Sequence, residues 1–280
     1  MTRHSPCVGI CTLDDTTGYC LGCGRSREEV AQWVAMSEDQ RDAVWLKLPA
    51  RLETLGVRVR LLPWTPEDIL VWVAETIAGR RGTWTIGASG AVEKFPCTAK
   101  LEIEIEEFSD TIVARTPEAS FRLRLNDKVR AFAFAEGGPI VLGLPTGRAA
   151  VPSCAVITAL GPDADAIDGR HRREGFFDLG FACKSSRFCI RTDDAMLANI
   201  LSAHAGQHWS EIPLAIAEQI TSLRPTLIVE AALARIEVFA PIRPPGGGLP
   251  IFLKSSEDIP ASPVLPEYAS PVAIFYPTTG

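Results

Sequence analysis

Four of the chain's eight cysteines crowd into its first 23 residues: Cys7, Cys11, Cys20 and Cys23, spaced C-x3-C-x8-C-x2-C. The other four, Cys97, Cys154, Cys183 and Cys189, are dispersed. In a small secreted protein such a cluster would read as disulfides. Here residues 1–12 hold no apolar run of signal-peptide length and most of the chain is cysteine-poor, so reducing surroundings and a metal site are expected. Cys20-Leu21-Gly22-Cys23-Gly24-Arg25 reads as a knuckle. Two thiolates with two residues between them grip one ion only if the backbone turns sharply, and Gly22 and Gly24 permit that turn. Backbone N–H groups in such a turn point at the sulfurs and offset their charge. Cys7-Val8-Gly9-Ile10-Cys11 supplies the second pair, and residues 13–18 read as a turn between them. Four cysteine ligands close a tetrahedral shell, the structural type of zinc site. Four thiolates also hold iron or an iron–sulfur cluster. The Cys-Pro step common in cluster runs is absent, so zinc is the preferred cofactor and an iron–sulfur cluster the alternative. His4 is expected to be solvated.

Two helices are expected after the knuckle. Ser26-Arg27-Glu28-Glu29 and Ser37-Glu38-Asp39-Gln40 are capping boxes, in which the serine hydroxyl takes an N–H three residues on and the acid or amide returns the bond. Val30, Trp33 and Val34 follow the first, with Met36 at its end. Ala43, Val44, Leu46 and Leu48 follow the second, closed before Pro49. The expected product is a four-cysteine, metal-bound helical hairpin over residues 1–55, with the metal as the staple that so small a core needs.

Ser5-Pro6-Cys7-Val8-Gly9-Ile10-Cys11, then Gly18-Tyr19-Cys20-Leu21-Gly22-Cys23-Gly24-Arg25, then Trp33, Met36-Ser37 and Leu48-Pro49, together resemble a small uncharacterised bacterial family labelled as predicted Fe–S proteins. The resemblance covers about a fifth of the chain. It implies that all four cysteines are ligands, keeps the iron–sulfur alternative in view, and implies no reaction.

The length, 280 residues, suits two domains. Residues 56–64 read as a linker and 65–280 as a larger α+β domain with a largely antiparallel sheet. A shortened chain starting near Pro63 is expected to fold alone. Thr65-Pro66-Glu67-Asp68 opens a helix carrying Ile69, Leu70, Trp72, Val73 and Ile77 and ended by Gly79. Alternation predicts strands at 101–106, 121–125, 130–135 and 139–144, and further strands follow at 155–160, 176–180, 188–191, 235–239 and 272–276. Helices are expected from Thr192-Asp193-Asp194 to about His204 and over 213–223. Residues 241–250 read as a loop. The glutamates of the first strand and the arginines of the second are candidates to pair across neighbouring strands.

A net charge of −6 argues against nonspecific nucleic-acid binding, and nowhere do about 18 apolar residues run on to span a membrane. The expected location is the cytoplasm. No Walker loop, GxGxxG or nucleophile elbow occurs. Gly246-Gly247-Gly248 reads as a flexible loop, His204 and His208 as solvated residues at a helix end, and Cys183 and Cys189 as ordinary thiols. The best polar cluster is Asp178, Arg191, Asp193 and Asp194, where carboxylates, a guanidinium and a helix start meet at a sheet rim. It reads as a site for a small polar ligand or as a structural clamp. Residues 160–165, 177–180, 189–194 and 235–247 also look similar to a bacterial domain of unknown function, which brings no chemistry. Three functions are compatible: a binding or adaptor protein for a protein partner or small polar ligand, an iron–sulfur redox or sensor protein, or an enzyme using the Asp178/Arg191 region.

Overall fold

Alternation at 101–106, 121–125 and 130–135 commits these short segments to strands, and strands must share their apolar faces with another layer. The computed structural model describes residues 5–8, 12–57, 59–88, 91–98, 100–134, 137–151, 155–180, 185–208, 211, 222–239, 265–267 and 269–278. Two antiparallel sheets dominate, so the fold is α+β. One sheet has the order β1-β7-β8-β14-β2-β3. Its strands are β1 (Arg60–Leu61), β2 (Gly82–Ala88), β3 (Ala91–Cys97), β7 (Arg130–Ala133), β8 (Ile140–Pro145) and β14 (Ala269–Pro277). The other has the order β4-β5-β6-β13-β12-β11-β10-β9. Its strands are β4 (Glu104–Glu107), β5 (Thr111–Arg115), β6 (Ala119–Arg124), β9 (Thr158–Pro162), β10 (Gly175–Asp178), β11 (Ser186–Thr192), β12 (Thr226–Ala231) and β13 (Ala234–Val238).

The sheets face each other. Trp84 and Phe95 from one stack on Phe121 from the other, with ring centroids 5.6 and 5.7 Å apart. Leu142, Leu144 and Phe275 join Phe188, Ile190, Val229 and Ile236 in the same core. Helix α4 (Pro66–Ala78) adds Ile69, Val73 and Ile77, one turn apart on one side. Its capping box is formed, Thr65 accepting from the Asp68 N–H and Asp68 from the Thr65 N–H. Helix α5 (Ala195–Ala203) starts at Asp194 and buries Leu197 and Leu201.

The N-terminal residues make a third layer. Helices α1 (Arg27–Gln32), α2 (Glu38–Trp45) and α3 (Leu48–Thr54) carry Trp45, Leu48 and Leu52, and Trp33 follows α1. These pack with Leu61, Phe132, Val141 and Ile274 on the outer face of the six-stranded sheet. Both serine capping boxes are present. The expected hairpin differs in detail. The first helix stops at Gln32 rather than Met36. The second stops at Trp45, leaving Leu46 exposed, and Pro49 opens a third helix instead of closing the second. Proline is tolerated in a first turn because its missing N–H would have no helical partner there. Within the segment read as a linker, Leu61 pairs with Phe132 and extends the sheet.

The glutamate row and the arginine row are not neighbours. Strand β5, whose TIVAR sequence does not alternate cleanly, lies between them. Glu106 therefore pairs with Arg115 at 2.8 Å, and Arg124 turns to Asp165 at 2.9 Å. The hairpin of β2 and β3 and strand β12 are further strands not anticipated. The helix expected over 213–223, apart from its last two residues, and the loop expected over 241–250 lie outside the described residues, as do His4, Cys11, Cys154 and Cys183.

Candidate metal centre

The knuckle is a built turn. Asp14 Oδ1 accepts from the Thr17 N–H and hydroxyl, both at 2.7 Å, and Gly18 takes a left-handed φ of 69°. Leu13 then bridges to Cys20 and Tyr19 to Ser26. Gly24 is left-handed at φ 72°, whereas Gly22 is not among the left-handed glycines. Arg51 from α3 clamps the turn, donating to Gly24 O at 3.2 Å and to Glu29 at 2.6 Å.

Cys7, Cys20 and Cys23 border one cavity of about 360 Å³, together with Leu13, Asp15, Arg25, Arg27 and Val30. Cys20 and Cys23 are buried and Cys7 is half-buried. The Cys20 thiol is pulled down to about 6, first by a hydrogen bond with the Cys23 thiol, against burial, and further by the N–H groups of Cys23 and Gly22. Cys23 is pushed up by the same hydrogen bond and by burial, with the Arg25 charge opposing. Backbone donors thus aim at sulfur as the turn chemistry requires, and Arg25 Nε adds a bond to Cys23 Sγ at 3.3 Å. Among the described residues no group of three or more potential ligands closes round a point, and the fourth cysteine, Cys11, lies outside them. The donor chemistry fits a thiophilic ion: soft sulfurs, N–H groups at the thiolate and a guanidinium beside them.

One residue of this site comes from the sandwich. Arg130 on β7 donates through Nε to Cys7 O at 3.0 Å, and through Nη1 to Asp127 O and Val129 O at 2.8 Å. Burial pulls its guanidinium down, and the charges of Cys7 and Asp127 pull it back up. Sequence reasoning missed it because Arg130 lies 123 residues from Cys7 and sits in an ordinary alternating strand.

The second candidate, Asp178 with Arg191 and Asp193, is arranged differently from the expectation. Phe176 opposes Arg191 and Asp178 opposes Cys189, so Asp178 and Arg191 share the outer face of the eight-stranded sheet two positions apart. They do not pair. Arg191 reaches Asp163 at 3.0 Å, Glu237 at 2.9 Å and Glu174 at 3.3 Å. Arg235 also bonds Asp163, and lies 2.8 Å from Glu237. Asp178 accepts the Gly180 N–H at 2.9 Å, Asp194 caps α5, and Asp193 is exposed. Residues 163–174 cover this layer, anchored additionally by the Ile167 N–H on Glu237 at 2.9 Å. The alternating Arg235-Ile236-Glu237 run was the available signal, since it puts both charges on one face.

Burial raises the Asp178 carboxyl above its ordinary value of 3.8, with Gly180 and Arg187 opposing. The unfolded chain releases this proton first, so stability falls as pH climbs from the ordinary to the raised value. Asp178→Asn keeps the acceptor and removes the buried charge. It is expected to stabilise by on the order of 1 kcal/mol at pH 8 and to be neutral below about pH 4. Urea titrations at the two pH values check this, and an equal effect at both would refute it.

Comparison with known proteins follows the same division. A protein family of unknown function, DUF1289, matches residues 5–52, and its description names no iron–sulfur group. Uncharacterized protein YdhL of Escherichia coli strain K12 is 48% identical over 41 residues, which is 15% of this chain and 51% of YdhL. YdhL of Shigella flexneri matches to the same extent. The chain thus spans about half the length of these curated relatives. No solved structure matches. The family of unknown function DUF6925 matches residues 68–279, well over half of the chain, and the protein belongs to that family.

Proposed function

We propose that Cys7, Cys11, Cys20 and Cys23 hold one structural metal centre, zinc in preference to an iron–sulfur cluster, on a binding or adaptor protein. The larger part would recognise a protein partner or a small polar ligand, in a reducing cytoplasm. The observation that carries the metal reading is that Cys7, Cys20 and Cys23 border a single cavity, with N–H donors on the Cys20 sulfur and a guanidinium donor on the Cys23 sulfur. A closed four-thiolate shell leaves no position for substrate, which favours a structural over a catalytic role. The acidic net charge of −6 suits a partner other than nucleic acid. No helix among the described residues is long and apolar enough to cross a membrane. The Asp178/Arg191 region supports a clamp better than an enzyme site, because Arg191 is committed to Asp163 and Glu237 beneath residues 163–174.

Elemental analysis of full-length protein purified without oxygen tests this. About one equivalent of zinc in a colourless protein is expected. Iron with broad visible absorbance would replace zinc by the iron–sulfur alternative, and neither metal would end the four-cysteine reading.

A further inference from the structure

Two guanidiniums stand buried beside the cysteine cavity. Arg25 is 3% exposed and Arg130 is 5% exposed. Arg25 lies over the Trp33 ring at 4.7 Å and donates to Cys23 Sγ. Among the described residues Arg130 donates only to carbonyl oxygens, the first of them that of Cys7. Among the described residues neither forms a salt bridge with a carboxylate. Elsewhere the chain treats buried arginines otherwise: Arg191 and Arg235 each contact more than one carboxylate. Burying a cation without a close counter-ion is strongly disfavoured, and Asp127, whose charge acts on Arg130, is exposed and paired with Lys128, so a further negative charge belongs next to these two. The remaining charged groups at the cavity, Asp15 and Arg27, are exposed and of opposite sign.

Four thiolates around a divalent ion carry a net charge of about minus two, and so do four thiolates around a cluster core of charge two plus. We infer that Arg25 and Arg130 are the counter-charges of a dianionic four-thiolate centre, which makes β7 of the sandwich part of the N-terminal metal site. The inference rests on the four-cysteine reading above. Both arginines are positioning residues: they act on the ion through the cysteines. Arg130 also ties metal retention to the folded sandwich, because it is placed by pairing of β7 with β8 and β1.

The experiment is chelator competition on the full-length protein, with zinc as the probe for a colourless protein and released iron for a brown one. Arg25→Gln and Arg130→Gln are each expected to weaken metal retention about 10–100-fold. Arg25→Lys and Arg130→Lys, which keep the charge and lose the planar donor fork, should restore most of it. A role confined to hydrogen bonding to Cys7 O predicts that lysine and glutamine behave alike, and that result overturns the proposal. Retention unchanged in both glutamine variants overturns it as well. If Arg130→Gln fails to fold, the Arg25 pair carries the same comparison. Wild-type metal content is measured first: wild type without metal refutes the four-cysteine reading, whereas loaded wild type with unaffected variants refutes this inference alone.

Discussion

Cys23→Ser is expected to strip the metal and loosen the whole N-terminal layer. The helices of that layer span six, eight and seven residues, each too short to persist alone in water. Their shared core is small, and structural zinc in comparable modules contributes on the order of 10 kcal/mol or more to folding. Serine at position 23 removes a buried thiol and leaves Arg25 without its sulfur acceptor. Elemental analysis should show nearly complete loss. Limited proteolysis should cut within residues 12–57 while the sandwich around Trp84 survives. Loosening also uncovers Phe132, Val141 and Ile274, so dye binding to apolar surface should rise. A Cys23→Ser protein that keeps its metal, or whose N-terminal layer stays protected after losing it, would refute the prediction.

Arg191→Met is expected to cost about 3–5 kcal/mol of unfolding free energy, because removing one partner of a buried ion pair strands the other. The side chains of Arg191 and Glu237 are both 0% exposed, and Asp163 would keep only Arg235. Arg124→Met is the control. Arg124 bonds Asp165 at 2.9 Å from a half-exposed position, so its loss should cost no more than about 1 kcal/mol. Urea unfolding of the two variants decides, and an Arg191→Met cost below about 1 kcal/mol would show that the buried layer contributes no more than a surface pair.

These two regions differ in how far the sequence discloses them. Ser26, Ser37 and Thr65 announce helix starts because a capping box closes within four residues, whatever the rest of the chain does. Alternation in 101–106 and 121–125 announces strands because successive side chains must point to opposite faces. Strand β5 escaped because Ile112, Val113 and Ala114 are all buried, which erases the alternation of a half-buried strand. The cysteine spacing marked the candidate ligands, but nothing local to Cys7 points to Arg130.

By itself the sequence determined the local structure: the capping boxes, the turn of Asp14 to Gly18, the spacing of the thiols and the two-faced strands. Each of these depends on atoms a few residues apart along one backbone. Only the tertiary structure decided strand order, the seating of α1 to α3 on Phe132 and Ile274, the partners of Arg191, and the reach of Arg130 to Cys7. The physical reason is that a strand's two faces are set by its own side chains, whereas its neighbours are set by which faces bury the most apolar area together. A buried charge then takes whatever counter-charge that packing brings within reach.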